Sequence, residues 1–98
     1  MSVWNPFATV AETKAALDRK QLSASELAEH YLARAEALNP TLNAYVTLDR
    51  DKTLAEARAA DARRASGDTA ALLGVPVAHK DIYLIDGWRT TCGSRMLE

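Results

Sequence analysis

A chain of 98 residues with a formal net charge of −1 carries no electrostatic footprint for nucleic acid or an acidic membrane. Its 48% hydrophobic and 26% charged residues are those of a soluble globular protein, enough for one small domain and too few for two. A single cysteine, Cys92, forbids an internal disulfide and any multi-cysteine metal site.

In chain order, residues 1–8 carry Trp4, Asn5, Pro6 and Phe7 and read as an irregular arm whose aromatics pack on a neighbouring surface. Neither this start nor any later run has the apolar length of a signal or membrane-spanning segment, which predicts a cytoplasmic protein with no membrane partner. From Thr9 to about Lys20 the good helix formers of TVAETKAALDRK predict a first helix, with Thr9 as N-cap and Glu12 three residues on. The second helix has the clearest start: Ser23 and Glu26 form a capping box, and Leu22 and Leu27 occupy the positions of a hydrophobic staple. Leu27, Tyr31, Ala35 and Leu38 fall on one face, which reads as core, and Asn39-Pro40 is expected to stop the helix. AYVTL, residues 44–48, alternates and reads as a short strand or an extended connector. A third, alanine-rich helix is predicted from about Asp51 to Ala65, with Gly67 at its C-terminal cap. Arg58, Arg63 and Arg64 are interleaved with Glu56 and Asp61, the pattern of a solvated helix face rather than a basic patch. His30 and His79 are too few and too scattered to propose a metal.

Residues 73–81, LGVPVAHKD, read as a buried strand, with Val75, Val77 and Ala78 leaving water and Gly74 and Pro76 punctuating the entry. Lys80 then sits inside or at the end of that strand, followed by short apolar runs broken by Asp86-Gly87 and Cys92-Gly93-Ser94. A lysine stripped of water loses its proton more easily and can serve as a general base. A lysine blunting a strand edge or snorkelling to solvent gives the same pattern, so the residues alone leave both roles open. Cys92 fits no nucleophile motif and reads as a small buried hydrophobe. Asp81 either orients the strand end through hydrogen bonds or caps the following turn, and Thr90, Thr91 and Gly93 shape the loop. One buried strand cannot satisfy its own backbone groups, so further strands are expected from a longer chain or another protein.

Residues 72–97, LLGVPVAHKDIYLIDGWRTTCGSRML, resemble the lysine-bearing segment of the amidase signature family, most specifically in the G-V-P-V-A-x-K-D core. SASELAEHYLARAEALNPTLNAYVTLD and KTLAEARAAD carry the resemblance back to about Leu22 and are most similar to one branch, the A subunits of tRNA-dependent amidotransferases. The resemblance implies an α/β fold: N-terminal helices plus the first strand or strands of a mixed-sheet domain several times longer and incomplete in this chain. Residues 1–70 would be mainly helical, and residues 71–98 would be the strand and loop bearing the lysine.

By the same resemblance Lys80 is the catalytic base, acting through a serine held by a cis peptide that relays the proton of a second, nucleophilic serine. None of Ser2, Ser23, Ser25, Ser66 and Ser94 lies in a matching glycine- and serine-rich segment, so the chain by itself is expected to be inactive. The branch implies glutamine as substrate, with ammonia passed to a B subunit that uses ATP and Mg2+ to amidate Glu-tRNA(Gln) or Asp-tRNA(Asn). A small C subunit joins the two, tRNA is met only through the complex, and no cofactor or metal belongs to the glutamine-hydrolysing partner itself. Two other readings stand beside it: a stand-alone amidase of the same superfamily, and a non-catalytic helical interaction module with Lys80 as a surface charge.

Overall fold

The computed structural model describes residues 4–97, so residues 1–3 of the expected arm and residue 98 lie outside the described residues. Its elements are α1 (Val10–Asp18), α2 (Ala24–Leu42), α3 (Arg50–Ala65) and a short 3-10 turn (Arg95–Leu97).

Local chemistry starts and stops each helix. In α1 the Thr9 hydroxyl accepts the Glu12 N–H and the Glu12 carboxylate accepts the Thr9 N–H, both at 3.1 Å. The helix ends short of Lys20, which turns left-handed (φ 58). Lys20 N–H then reaches Leu17 O and Gln21 N–H reaches Ala16 O, a Schellman closure. Ser23 and Glu26 form the expected capping box of α2. At α3, Asp49 is the N-cap and accepts the Lys52 N–H. Gly67 (φ 96) follows the last turn, where Gly67 N–H and Asp68 N–H close on Arg64 O and Arg63 O, as the glycine predicts.

Asn39-Pro40 does not stop α2, which runs through Pro40 to Leu42. Pro40 offers no N–H to the carbonyl four residues back, and the last turn it weakens is held from outside. Asn43, left-handed at φ 51, donates its N–H to Asn39 O, and the Asn39 amide exchanges two hydrogen bonds with the backbone of Tyr45. The buried face of α2 is Ala24, Leu27, Ala28 and Leu32, while Leu38 is 41% exposed, because the core lies against the first three turns of the helix.

α2 packs on α3 around a small core of Leu17, Ala24 and Leu27, flanked by Trp4, Leu22, Tyr31, Ala57, Ala60 and Val75. The arm packs on its own helix: Trp4 Nε1 donates to the Tyr31 hydroxyl and the Arg34 guanidinium lies over the Phe7 ring. Arg64 is not simply solvated. It reaches Asp18 at the end of α1 and the Leu73 carbonyl, tying three segments together.

Among the described residues there is no strand, neither at residues 44–48 nor at 73–81. None of the N–H groups of residues 77–81 finds an acceptor among the described residues, and a strand exists only through a neighbour that supplies them. The radius of gyration, 14.5 Å, exceeds the roughly 13 Å of a compact domain this long. Large apolar side chains stay in water, Leu84 at 90% exposure and Val77 at 66%.

Candidate active site

Residues 73–75 are anchored and residues 76–80 are not. Leu73 is buried, and its carbonyl accepts from Arg64 Nη2 at 2.7 Å. Gly74 adopts φ +84 and lies so close to α1 and α2 that a Cβ there would stand 3.1 Å from Ala24 Cβ. Val75 packs partly against the core. The chain then leaves the helices, and Pro76, Val77, Ala78, His79 and Lys80 are all exposed.

Order returns directly after the lysine. The Lys80 carbonyl accepts the N–H groups of Ile82 at 2.8 Å and Tyr83 at 3.2 Å. Asp81 O accepts the Cys92 N–H at 2.9 Å, and the Asp81 carboxylate accepts both the Thr91 N–H, at 2.8 Å, and the Thr91 hydroxyl. The Thr91 hydroxyl in turn accepts the Gly93 N–H at 3.1 Å. Hydrogen bonding from the Thr91 hydroxyl, then from its amide, holds the Asp81 carboxyl below its ordinary range. Thr91 is 2% exposed and Asp81 half-buried, so the donor side of the clasp is shielded from water.

Above the clasp the loop is stitched by Thr90 Oγ1 to Tyr83 O at 2.7 Å and by Trp88 N–H to Ile85 O at 3.0 Å. Trp88 docks it on α3, donating from Nε1 to Glu56 while Lys52 Nζ lies 5.1 Å from its ring. Of the two Asp81 readings, the capping of the following loop is the one seen, since no strand end is present among the described residues for the carboxylate to orient. Cys92 is exposed at left-handed φ 52, not a buried hydrophobe, because the turn that delivers its N–H to Asp81 points the residue outward.

Between the paired helices, the connector at residues 44–49 and the segment at residues 74–90 lies a concavity of about 490 Å³, with Lys80 and Asp81 in its lining. Its walls combine alanines of α2 and α3 with Val46, Val77 and Trp88, so the lysine stands beside a mainly apolar hollow. His79 lines it as well, but among the described residues no three metal-ligating side chains gather. No helix among the described residues is long and apolar enough to cross a membrane.

The docking of Trp88, and the pairing of Asp81 with Thr91 across ten residues, were not legible in the sequence. Only the composition of the TTCGS loop hinted that Thr91 shaped the site.

A model of the amidase family matches residues 26–98 of the chain. The chain is 62% identical over 91 residues to the glutamyl-tRNA(Gln) amidotransferase A subunit of Chromobacterium violaceum, covering 93% of the chain and 19% of that relative. It is 56% identical over 92 residues to the identically named protein of Thiobacillus denitrificans, covering 94% and 19%. The corresponding protein of Neisseria meningitidis serogroup C is 56% identical over 90 residues, covering 92% and 19%. The chain thus spans about a fifth of the length of the curated relatives it matches, 19% of each.

Proposed function

The chain belongs to the amidase family, and on that footing we propose that it forms the amino-terminal part of a glutamine-hydrolysing A subunit of a tRNA-dependent amidotransferase. The observation that carries this reading is identity of 62% over 93% of the chain to a relative of that name. In the full protein, strands of a mixed sheet pair with residues 77–81 and meet their unpaired N–H groups. Those strands would also cover Val77 and Lys80, which are exposed in this chain.

Lys80 is then the general base. It draws the proton of a nucleophilic serine through a bridging serine as the nucleophile's oxygen attacks the glutamine side-chain carbonyl. The proton passes to the departing nitrogen, ammonia leaves, and water hydrolyses the acyl-serine to release glutamate. Both serines belong to a segment outside these residues, so the 98-residue chain alone hydrolyses no glutamine. The ammonia passes within a cytoplasmic complex to a B subunit, where ATP and Mg2+ serve the amidation of tRNA-bound glutamate or aspartate, with a C subunit linking the two.

The exposure of Lys80 in this chain favours one second reading, a helical interaction module in which the lysine is a surface charge. Reading the coding sequence in frame beyond Glu98 separates them first. A glycine- and serine-rich segment some tens of residues on supports the enzyme. In the full-length protein with its partner subunits, Lys80→Ala should then lower glutamine hydrolysis by at least the roughly 10²–10⁴-fold of general-base catalysis. Wild-type turnover by that variant would sink the proposal.

A further inference from the structure

We infer that the clasp between Asp81 and Thr91 positions Lys80, holding the backbone on the carboxyl side of the lysine so that its amine is delivered to one point at the mouth of the concavity. This rests on Lys80 being the base proposed above.

On the amino side nothing among the described residues steadies the lysine. The last anchors are the Val75 N–H on Leu72 O and Arg64 on Leu73 O, and residues 77–80 donate no backbone hydrogen bond among the described residues. The carboxyl side is closely bonded. The Lys80 carbonyl takes two N–H groups, the Asp81 carbonyl takes a third, and the Asp81 carboxylate takes the amide and hydroxyl of Thr91. A lysine side chain has four rotatable bonds, so its reach is useful only when the Cα–Cβ direction is set by fixed backbone.

The clasp sets that direction from a buried threonine whose hydroxyl is itself held by the Gly93 N–H. Hydrogen bonds in such a chain polarise one another, which tightens the closure of the loop. Its contacts lie outside the α2–α3 pair, whose packing depends on other residues. Loosening it should therefore misplace the lysine while leaving the helices folded. Asp81 and Thr91 are positioning residues and touch no substrate.

The test is steady-state glutamine hydrolysis by the full-length enzyme carrying Thr91→Val, Thr91→Ser, Asp81→Asn or Lys80→Ala, each with its melting midpoint. A misplaced base should cost about 10-fold to 10²-fold in kcat. We expect that loss for Thr91→Val and Asp81→Asn, with KM within about twofold of the parent. Thr91→Ser restores the hydroxyl and should bring kcat back near the parent value.

Parental kcat in both Thr91→Val and Asp81→Asn would overturn the inference, as would a loss that follows the melting midpoint and is not restored by serine. If Lys80→Ala is inactive while Thr91→Val keeps full turnover, the clasp inference falls and the base reading stands. If Lys80→Ala keeps full turnover, both fall.

Discussion

Asp61→Ala should unseat α2 without touching α2 itself. The first turn of a helix has donors with no partner in the helix. In α2 the Glu26 N–H goes to Ser23 Oγ, but the N–H groups of Ala24 and Ser25 go to the Asp61 carboxylate on α3, at 2.7 and 3.1 Å. The Ser25 hydroxyl adds a third bond to the same group at 2.7 Å. Hydrogen bonds to a charged acceptor are worth roughly 1.5–3 kcal/mol each, yet donors at a half-buried helix end re-pair with water. The loss is closer to that of an N-cap, about 0.5–2 kcal/mol, plus about 0.5–1 kcal/mol for a charge at the positive end of the helix. The expected total is about 1–3 kcal/mol, a large share of the roughly 5–15 kcal/mol that stabilises a small domain.

Urea unfolding of the chain followed by far-UV circular dichroism reads this directly. With a slope of about 1 kcal/mol/M the midpoint should fall by about 1–3 M. Asp61→Asn keeps one acceptor oxygen and should recover about half of the loss. Ser25→Ala should cost up to about 1.5 kcal/mol in the parent chain and almost nothing once Asp61 is alanine, since the two side chains share one interaction. An Asp61→Ala midpoint equivalent to less than about 0.5 kcal/mol of change, below the N-cap range, would refute the reasoning.

Gly74→Ala should destabilise by about 1–2 kcal/mol, the cost of a left-handed L-residue, because the glycine sits at φ +84 with Ala24 Cβ 3.1 Å from the added methyl. A rise in the urea midpoint, as seen where alanine fits, would contradict the close approach. Acid should weaken the fold through its lowered carboxyls, Glu12, Glu36 and Asp81 among them, and in particular through two aspartates: Asp18, held first by Lys14 and then Arg64, and Asp68, held by the Ala70 amide and then Arg63. Their folded values lie below the unfolded value of about 3.9, so their stabilisation is complete above that pH and is lost as pH falls through the folded values. The urea midpoint should be flat with respect to these groups above about pH 5 and fall below about pH 4. Asp18→Asn with Asp68→Asn should make that fall shallower, and an unchanged acid limb would refute the assignment.

The helix starts were legible because a cap and its partner are close in sequence. Thr9 and Glu12, like Ser23 and Glu26, are three residues apart, so residue type alone names both halves of each box. Gly67 was legible for the same reason, as a residue that accepts positive φ at a helix end. Pro40 misled because the turn it weakens is held by hydrogen bonds of Asn39 with Asn43 and Tyr45 that the dipeptide does not announce. Leu38 misled because periodicity identifies a face but not how far a neighbour covers it.

What the sequence by itself determined is local and familial: three capped helices, an alanine-rich third, and a lysine-bearing segment of the amidase family. Only the tertiary structure decided that Asp61 completes the start of α2 from 37 residues away, that Arg64 ties Asp18 to Leu73, and that Thr91 clasps Asp81. Those contacts join side chains far apart in the chain, and composition and period describe only a residue's own neighbourhood. Whether residues 73–81 form a strand belongs to neither level within this chain, because a strand is made by the backbone that pairs with it.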